Sequence, residues 1–183
     1  FAGLRERIAD LAPRLGVPVL LKEVGAGISE KTAAKIAGLP VAGVEVAGTG
    51  GTSWAKVESH RAPHESPQAH AGRRLAGFGV STADSIRFCR EALGSERVVV
   101  GSGGLRTGMD LAVALVLGAD VAALAKPLLE AASESEEAAV AALEGLIYEL
   151  KVIAFCTGAR DLAALRRVRL LPAGPGRPGR APA

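Results

Sequence analysis

The residues able to do chemistry in this sequence collect just after runs of apolar residues. Lys22 and Glu23 follow the run 17–21, and Gly48-Thr49-Gly50-Gly51-Thr52 follows the run 41–47. Ser102-Gly103-Gly104-Leu105-Arg106 follows 97–101, and Ala125-Lys126-Pro127 follows 121–124. Glycines at a strand end expose backbone N–H groups, and a helix opening near Pro127 carries partial positive charge at its first turn; together they suit a phosphate dianion. Gly103-Gly104 alone serves a tight turn equally well, and it is the Ala125-Lys126-Pro127 unit that favours phosphate. Lys22 closes an apolar run, so its ammonium needs an anionic partner. An anionic ligand is one such partner; an internal pair with Glu23 or Glu45 is the other. Successive strand residues face opposite ways, which argues against Glu23.

Other groups carry less. His60 and His64 have i,i+4 spacing, but Pro63 disfavours a helix interior between them. With His70 they read as loop histidines, and no metal ligand is assigned. Ser53, Ser81 and Ser102 lack a G-x-S-x-G setting. No Walker A sequence occurs, and Gly48-Thr49-Gly50-Gly51 is not a dinucleotide fingerprint. Cys89 and Cys156 show neither C-x-x-C nor metal-ligand spacing, which fits structural thiols in a reducing cytoplasm.

The elements that position these groups repeat. Strands are expected at 17–22, 41–47, 97–101 and 121–125, with helices at 29–38, 81–93, 107–118 and 135–157. The helix over 29–38 has Ser29 as N-cap and Gly38 as its stop. The 135–157 helix places Ala139, Leu143, Leu146, Ile147, Leu150 and Ile153 on one core-facing stripe. Residues 57–77 have no clean period and hold Pro63, Pro67, Gly72 and Gly77, so they read as a long excursion with room for a short helix. Four strand–loop–helix units in series imply parallel strands joined by right-handed crossovers. Their apolar residues are consecutive, as in strands covered on both faces. Ligands of such folds sit beyond the C-terminal strand ends.

Composition narrows the class. The chain has 183 residues, 49% hydrophobic and 22% charged, so it can bury a core. It is short for a (β/α)8 barrel, which takes about 250 residues. Aromatics at 3% argue against base-stacking platforms. The net charge of +3 is concentrated at one end: from Arg160 onward six arginines meet one aspartate, a net +5, which leaves residues 1–159 at −2. A nucleic-acid partner is therefore not expected, nor is a membrane span. Residues 1–171 read as one domain and 172–183, rich in Pro, Gly and Arg, as a disordered tail.

Residues 1–170 resemble the C-terminal half of type 2 isopentenyl-diphosphate isomerase. The resemblance rests on Pro18-Val19-Leu20-Leu21-Lys22-Glu23-Val24-Gly25, on the stretch from Val46 through Gly48-Thr49-Gly50-Gly51-Thr52-Ser53-Trp54 to Glu58, on Gly101-Ser102-Gly103-Gly104-Leu105-Arg106-Thr107-Gly108-Met109-Asp110, and on Leu117-Gly118-Ala119-Asp120. It implies an α/β fold that is the C-terminal half of a (β/α)8 TIM barrel. The implied cofactors are FMN, Mg²⁺ and NAD(P)H as flavin reductant. The implied reaction interconverts isopentenyl and dimethylallyl diphosphate without net redox change, in a tetramer or octamer.

By the same resemblance Lys22 would stabilise charge at the flavin N1/O2 edge, and Ala47 and Thr52 would line the isoalloxazine. Gly103, Gly104, Leu105 and Arg106 would hold the FMN phosphate with Ala125 and Lys126. Two positions depart from the family: Lys126 stands where Gly is usual, and Ala47 where Gly or Ser is. The family's substrate-binding and Mg²⁺-binding residues belong to its N-terminal half. No catalytic residue is assignable here, and the chain alone is expected to be inactive. The alternatives are another FMN barrel, such as a 2-hydroxy-acid oxidase, and a non-catalytic phosphate-binding half-barrel. The first needs a strand-end His before Gly, a context that none of the three histidines has.

Overall fold

The computed structural model describes residues 2–171, so the tail expected at 172–183 lies outside the described residues. Four strands form one parallel sheet in the order β1 (Leu20–Lys22), β2 (Gly43–Glu45), β3 (Val98–Gly101), β4 (Val121–Ala122). This sequential order has no reversal. A doubly wound sheet reverses its strand order at the ligand crevice, whereas successive right-handed crossovers to the next strand keep the helices on one side, as in a barrel.

The expected strands are present but shorter. The pairing spans only Leu20↔Gly43 to Lys22↔Glu45 and Gly43↔Val98 to Glu45↔Val100. Single ladder bonds extend it, from Ala42 N–H to Val19 O and from Glu23 N–H to Glu45 O. Pro18 has no N–H to give.

The two sheet faces differ, which corrects the expectation of burial on both. Val44 and Val99 are fully buried on one face. On the other, Leu20, Val98 and Val121 remain exposed. Those three share their face with Lys22 and Glu45, because side chains alternate along a strand and the register aligns them. The consecutive apolar residues line a covered face and an open one.

Helices cover the buried face. α1 (Leu4–Arg14) contributes Ile8 and Ala12 to the core and was not foreseen, although Leu4, Ile8, Leu11 and Leu15 have helical spacing. α2 (Glu30–Ala37) begins as expected at Ser29, whose Oγ accepts the Thr32 N–H at 3.3 Å. The excursion 57–77 contains the end of one helix, α3 (Trp54–Arg61), and the whole of another, α4 (Pro67–Arg74), packed on each other. A Cβ at Gly72 would lie 2.5 Å from Ala55 O, so glycine there permits their close approach.

α5 (Thr82–Leu93) packs on α2 and is capped by Ser81. Ser81 Oγ accepts the Asp84 N–H and donates to the Asp84 carboxylate, and this hydroxyl, followed by Arg87, holds the Asp84 carboxyl below its usual range. α6 (Gly108–Val116) carries a capping box between Thr107 and Asp110. α7 (Lys126–Glu134), α8 (Glu136–Cys156) and the short α9 (Leu162–Leu165) complete the described chain.

The stripe on α8 is only partly core-facing. Leu150, Ile153 and Ala154 pack against Ala112, Leu115, Ala159 and Leu165, while Leu143 and Ile147 stay about half exposed. No helix among the described residues is long and apolar enough to cross a membrane.

Candidate functional site

A cleft of about 830 Å³ opens at the C-terminal ends of the four strands. Ligand pockets commonly span about 300–1,000 Å³. All nine residues singled out from the sequence line it: Lys22, Ala47, Thr52, Gly103, Gly104, Leu105, Arg106, Ala125 and Lys126. Glu45, weighed from the sequence only as an ion-pair partner of Lys22, lines it too, as do Lys56, His60 and Ser102, to which the sequence gives no role. Four Lys/Arg side chains against a single carboxylate make the lining cationic, which favours an anionic ligand.

One end of the cleft is built from glycine backbone. The loop after β2 and the loop after β3 touch main chain to main chain. A Cβ on Gly104 would sit 2.3 Å from Gly50 C and O, and one on Gly103 would sit 2.3 Å from Gly48 O. Gly103 and Gly104 have φ of 110° and 79°, conformations that favour glycine. Thr82 pins the turn: its hydroxyl donates to Gly103 O at 2.6 Å. Its value as more than a helix start was invisible in the sequence, because its partners are backbone carbonyls brought from two other loops.

Arg106 ties the same loops together, donating to Gly104 O at 3.0 Å and Gly50 O at 3.2 Å, while its own N–H goes to Asp110. The N–H groups of Gly103, Gly104 and Leu105 find no protein acceptor among the described residues. Across the cleft α7 begins after Ala125 with no side-chain cap; Pro127 has no N–H and the Leu128 and Leu129 N–H groups bond Ala125 O, so among its first residues the Ala125 and Lys126 N–H groups find no protein acceptor among the described residues. Free N–H groups from a glycine turn and from a helix start, beside cations, have the chemistry to accept a phosphate. Lys126 stands at the rim, mostly exposed and only 3.9 Å from Glu130.

The other end is polar and ionic. Lys22 and Glu45 face each other across β1 and β2, with Nζ 3.0 Å from Oε1. The internal partner weighed for Lys22 is therefore Glu45, and Lys22 still lines the cleft. Glu23 faces away and folds its carboxylate onto the N–H groups of Val24, Gly25 and Ala26, so it pairs with Lys22 only through its carbonyl oxygen. Ser102 donates to Glu45 Oε1 at 2.9 Å and accepts the Ala47 N–H at 3.1 Å. Ala47 has φ of 36°, in the left-handed region that favours glycine, without being glycine.

The histidines separate. His60 reaches the cleft from α3, while His64 and His70 flank Glu65 on the surface at 2.6 and 3.1 Å. No group of three His, Cys, Asp or Glu side chains that could hold a metal occurs among the described residues. Burial pushes the Cys89 thiol up to about 11 despite the neighbouring Arg90, whereas Cys156 is exposed. Cys156 thus differs from the structural thiol expected.

Comparison with known proteins agrees with this geometry. The isopentenyl-diphosphate delta-isomerase of Stutzerimonas stutzeri is 46% identical over 169 residues, which are 92% of this chain and 48% of that protein. The protein of the same name from Mycobacterium marinum is 46% identical over 172 residues, again 92% and 48%. The chain thus spans about half the length of the curated relatives it matches. Among solved structures, mandelate oxidase with (S)-2-phenylpropionate aligns with a TM-score of 0.67 at 22% identity, over 90% of this chain and 42% of the other. A mandelate oxidase variant with a monooxide FMN adduct aligns at 0.66 and 22%, over 90% and 45%. These two show the fold, a partial (β/α)8 barrel. Residues 4–171 match the description of the FMN-dependent dehydrogenases, and the chain belongs to that family.

Proposed function

We propose that this chain is the C-terminal half of an FMN barrel that interconverts isopentenyl and dimethylallyl diphosphate. The observation that carries this is the cleft itself: one continuous space joins a phosphate cradle at Gly103–Leu105 and Ala125 to a polar floor at Lys22, as a flavin mononucleotide requires. The isomerase name of relatives at 46% identity selects the reaction within the family.

The residues present fit the cofactor. Gly103, Gly104 and Leu105 would give their N–H groups to the phosphate, with the α7 start and Lys126 opposite. Arg106 would hold both loops in place and lend its remaining donors. Ala47 and Thr52 would border the ring system, and Lys22 would place a fixed cation against negative charge on it. Bound and reduced, FMN would supply the proton donor and acceptor that the isomerisation needs. This half holds and polarises that group; it contributes no assigned catalytic side chain of its own.

The remaining parts of the proposal concern the whole protein. The exposed inner sheet face, with Leu20, Val98 and Val121, is the surface that a second half-barrel would cover. That half would bring the substrate diphosphate and Mg²⁺ sites. NAD(P)H would reduce the flavin, the protein would work in the cytoplasm as a homo-oligomer, and nucleic acid and membrane would play no part.

The test joins this chain to the N-terminal half of the Stutzerimonas relative and follows isopentenyl diphosphate by NMR with FMN, Mg²⁺ and reductant. Formation of dimethylallyl diphosphate is expected. A flavin-loaded fusion that leaves the substrate unchanged and oxidises a 2-hydroxy acid instead would overturn the proposal in favour of the oxidase reading.

A further inference from the structure

Lys22 does not stand alone on the cleft floor. Its ammonium is held between Glu45 Oε1 and the Glu23 carbonyl oxygen, each at 3.0 Å. The same Glu45 oxygen accepts the Ser102 hydroxyl at 2.9 Å, and that hydroxyl accepts the Ala47 N–H at 3.1 Å. The chain of contacts runs outward from buried to exposed: Ser102 is 6% exposed, the Glu45 side chain 26% and the Lys22 side chain 54%. Lys22 pairs in register with Glu45, and Ser102 lies two residues past Val100, the β3 partner of Glu45, on the same face, so the sheet sets the spacing. A single carboxylate oxygen with two donors has little freedom to turn.

We infer that Glu45, oriented by Ser102, is a positioning residue that anchors Lys22 and offsets its charge at the flavin-facing floor of the cleft. The functional half of this inference rests on the flavin reading above; the anchoring half does not. Two consequences follow. Without Glu45 the Lys22 amine is freer and reacts faster with reagents. The floor also becomes more positive by one charge, which favours reduced, anionic flavin over oxidised flavin.

The experiment compares wild type with the isosteric Glu45→Gln and with Ser102→Ala, after thermal unfolding has checked that each folds. The full protein without flavin is treated with an amine-reactive ester, and peptide mass spectrometry reads Lys22 labelling relative to the exposed Lys31 of α2. Loss of a partly exposed ion pair should raise the ratio about two- to fivefold in Glu45→Gln, and less in Ser102→Ala. An unchanged ratio in both variants overturns the anchor. Added FMN should protect wild-type Lys22; absence of protection with a raised Glu45→Gln ratio overturns the flavin reading and leaves the anchor standing. In flavin-loaded protein, Glu45→Gln should shift the oxidised-to-reduced equilibrium about tenfold, or roughly 30 mV upward for a two-electron couple. An unmoved potential overturns the charge-offsetting role.

Discussion

Replacing Gly104 by alanine tests the glycine cradle directly. Gly104 has φ of 79°, and an L-residue in that region costs about 1–2 kcal/mol. Its new Cβ would sit 2.3 Å from Gly50 C and O, and backbone cannot turn aside as a side chain can. Forcing the two loops apart adds about 1–3 kcal/mol. The sum, about 2–5 kcal/mol, is a large share of the about 5–15 kcal/mol that holds a domain folded. It should lower Tm by at least about 4 °C, and it should also part the loops that form the phosphate end of the cleft. The matched control is Gly145→Ala inside α8, where a Cβ meets nothing within 4 Å and helix propensity should add about 0.5–1 kcal/mol. Thermal and urea unfolding followed by circular dichroism read both. A Gly104→Ala protein as stable as wild type, or a Gly145→Ala protein equally damaged, would refute the steric reasoning.

Further predictions concern the same loops and the two thiols. Thr82→Val removes the hydroxyl that donates to Gly103 O and should cost about 1–2 kcal/mol by urea unfolding; a loss under about 0.3 kcal/mol would show that Thr82 does not pin the turn. A thiol reagent at neutral pH should label exposed Cys156 quickly and buried Cys89 only after denaturation, and two fast thiols in folded protein would contradict that burial. Because the folded state keeps the Cys89 proton up to about 11 against an ordinary 9.0, the folded state binds more protons in that window. Stability from this group is full below about pH 9 and falls as pH rises toward 11. Cys89→Ala should flatten that part of the stability–pH curve, and an unchanged slope would assign it elsewhere.

Much of this fold was legible because its signals are local. Ser29, Ser81, Thr107 and Ser135 each cap the helix expected after them, since capping needs only a side-chain oxygen and an N–H a few residues on. The strand-end residues lined the cleft because parallel β/α units put them there whatever the details. The losses came where a partner lies far along the chain. Strand lengths depend on the neighbour's register, so 17–22 shrank to Leu20–Lys22. The stripe on α8 gave no hint that Leu143 and Ile147 would stay exposed, because spacing marks a face and not what covers it. Glu45 and Ser102 were read only as a possible ion pair and a failed nucleophile. A distance of 2.9 Å between residues 57 apart in sequence has no local signature, although a Glu level with Lys22 on the next strand was a usable clue.

The central claim is that the cleft recognises a flavin mononucleotide through its phosphate. Fluorescence titration of the chain joined to the N-terminal half of the Stutzerimonas relative, with FMN and with riboflavin, tests it most directly because the two ligands differ only in that group. Several charge-assisted bonds at about 1.5–3 kcal/mol each predict FMN to bind at least about a hundredfold tighter, with the difference shrinking in Arg106→Ala. Equal affinity for the two flavins, or no flavin binding by the completed barrel, would contradict the account.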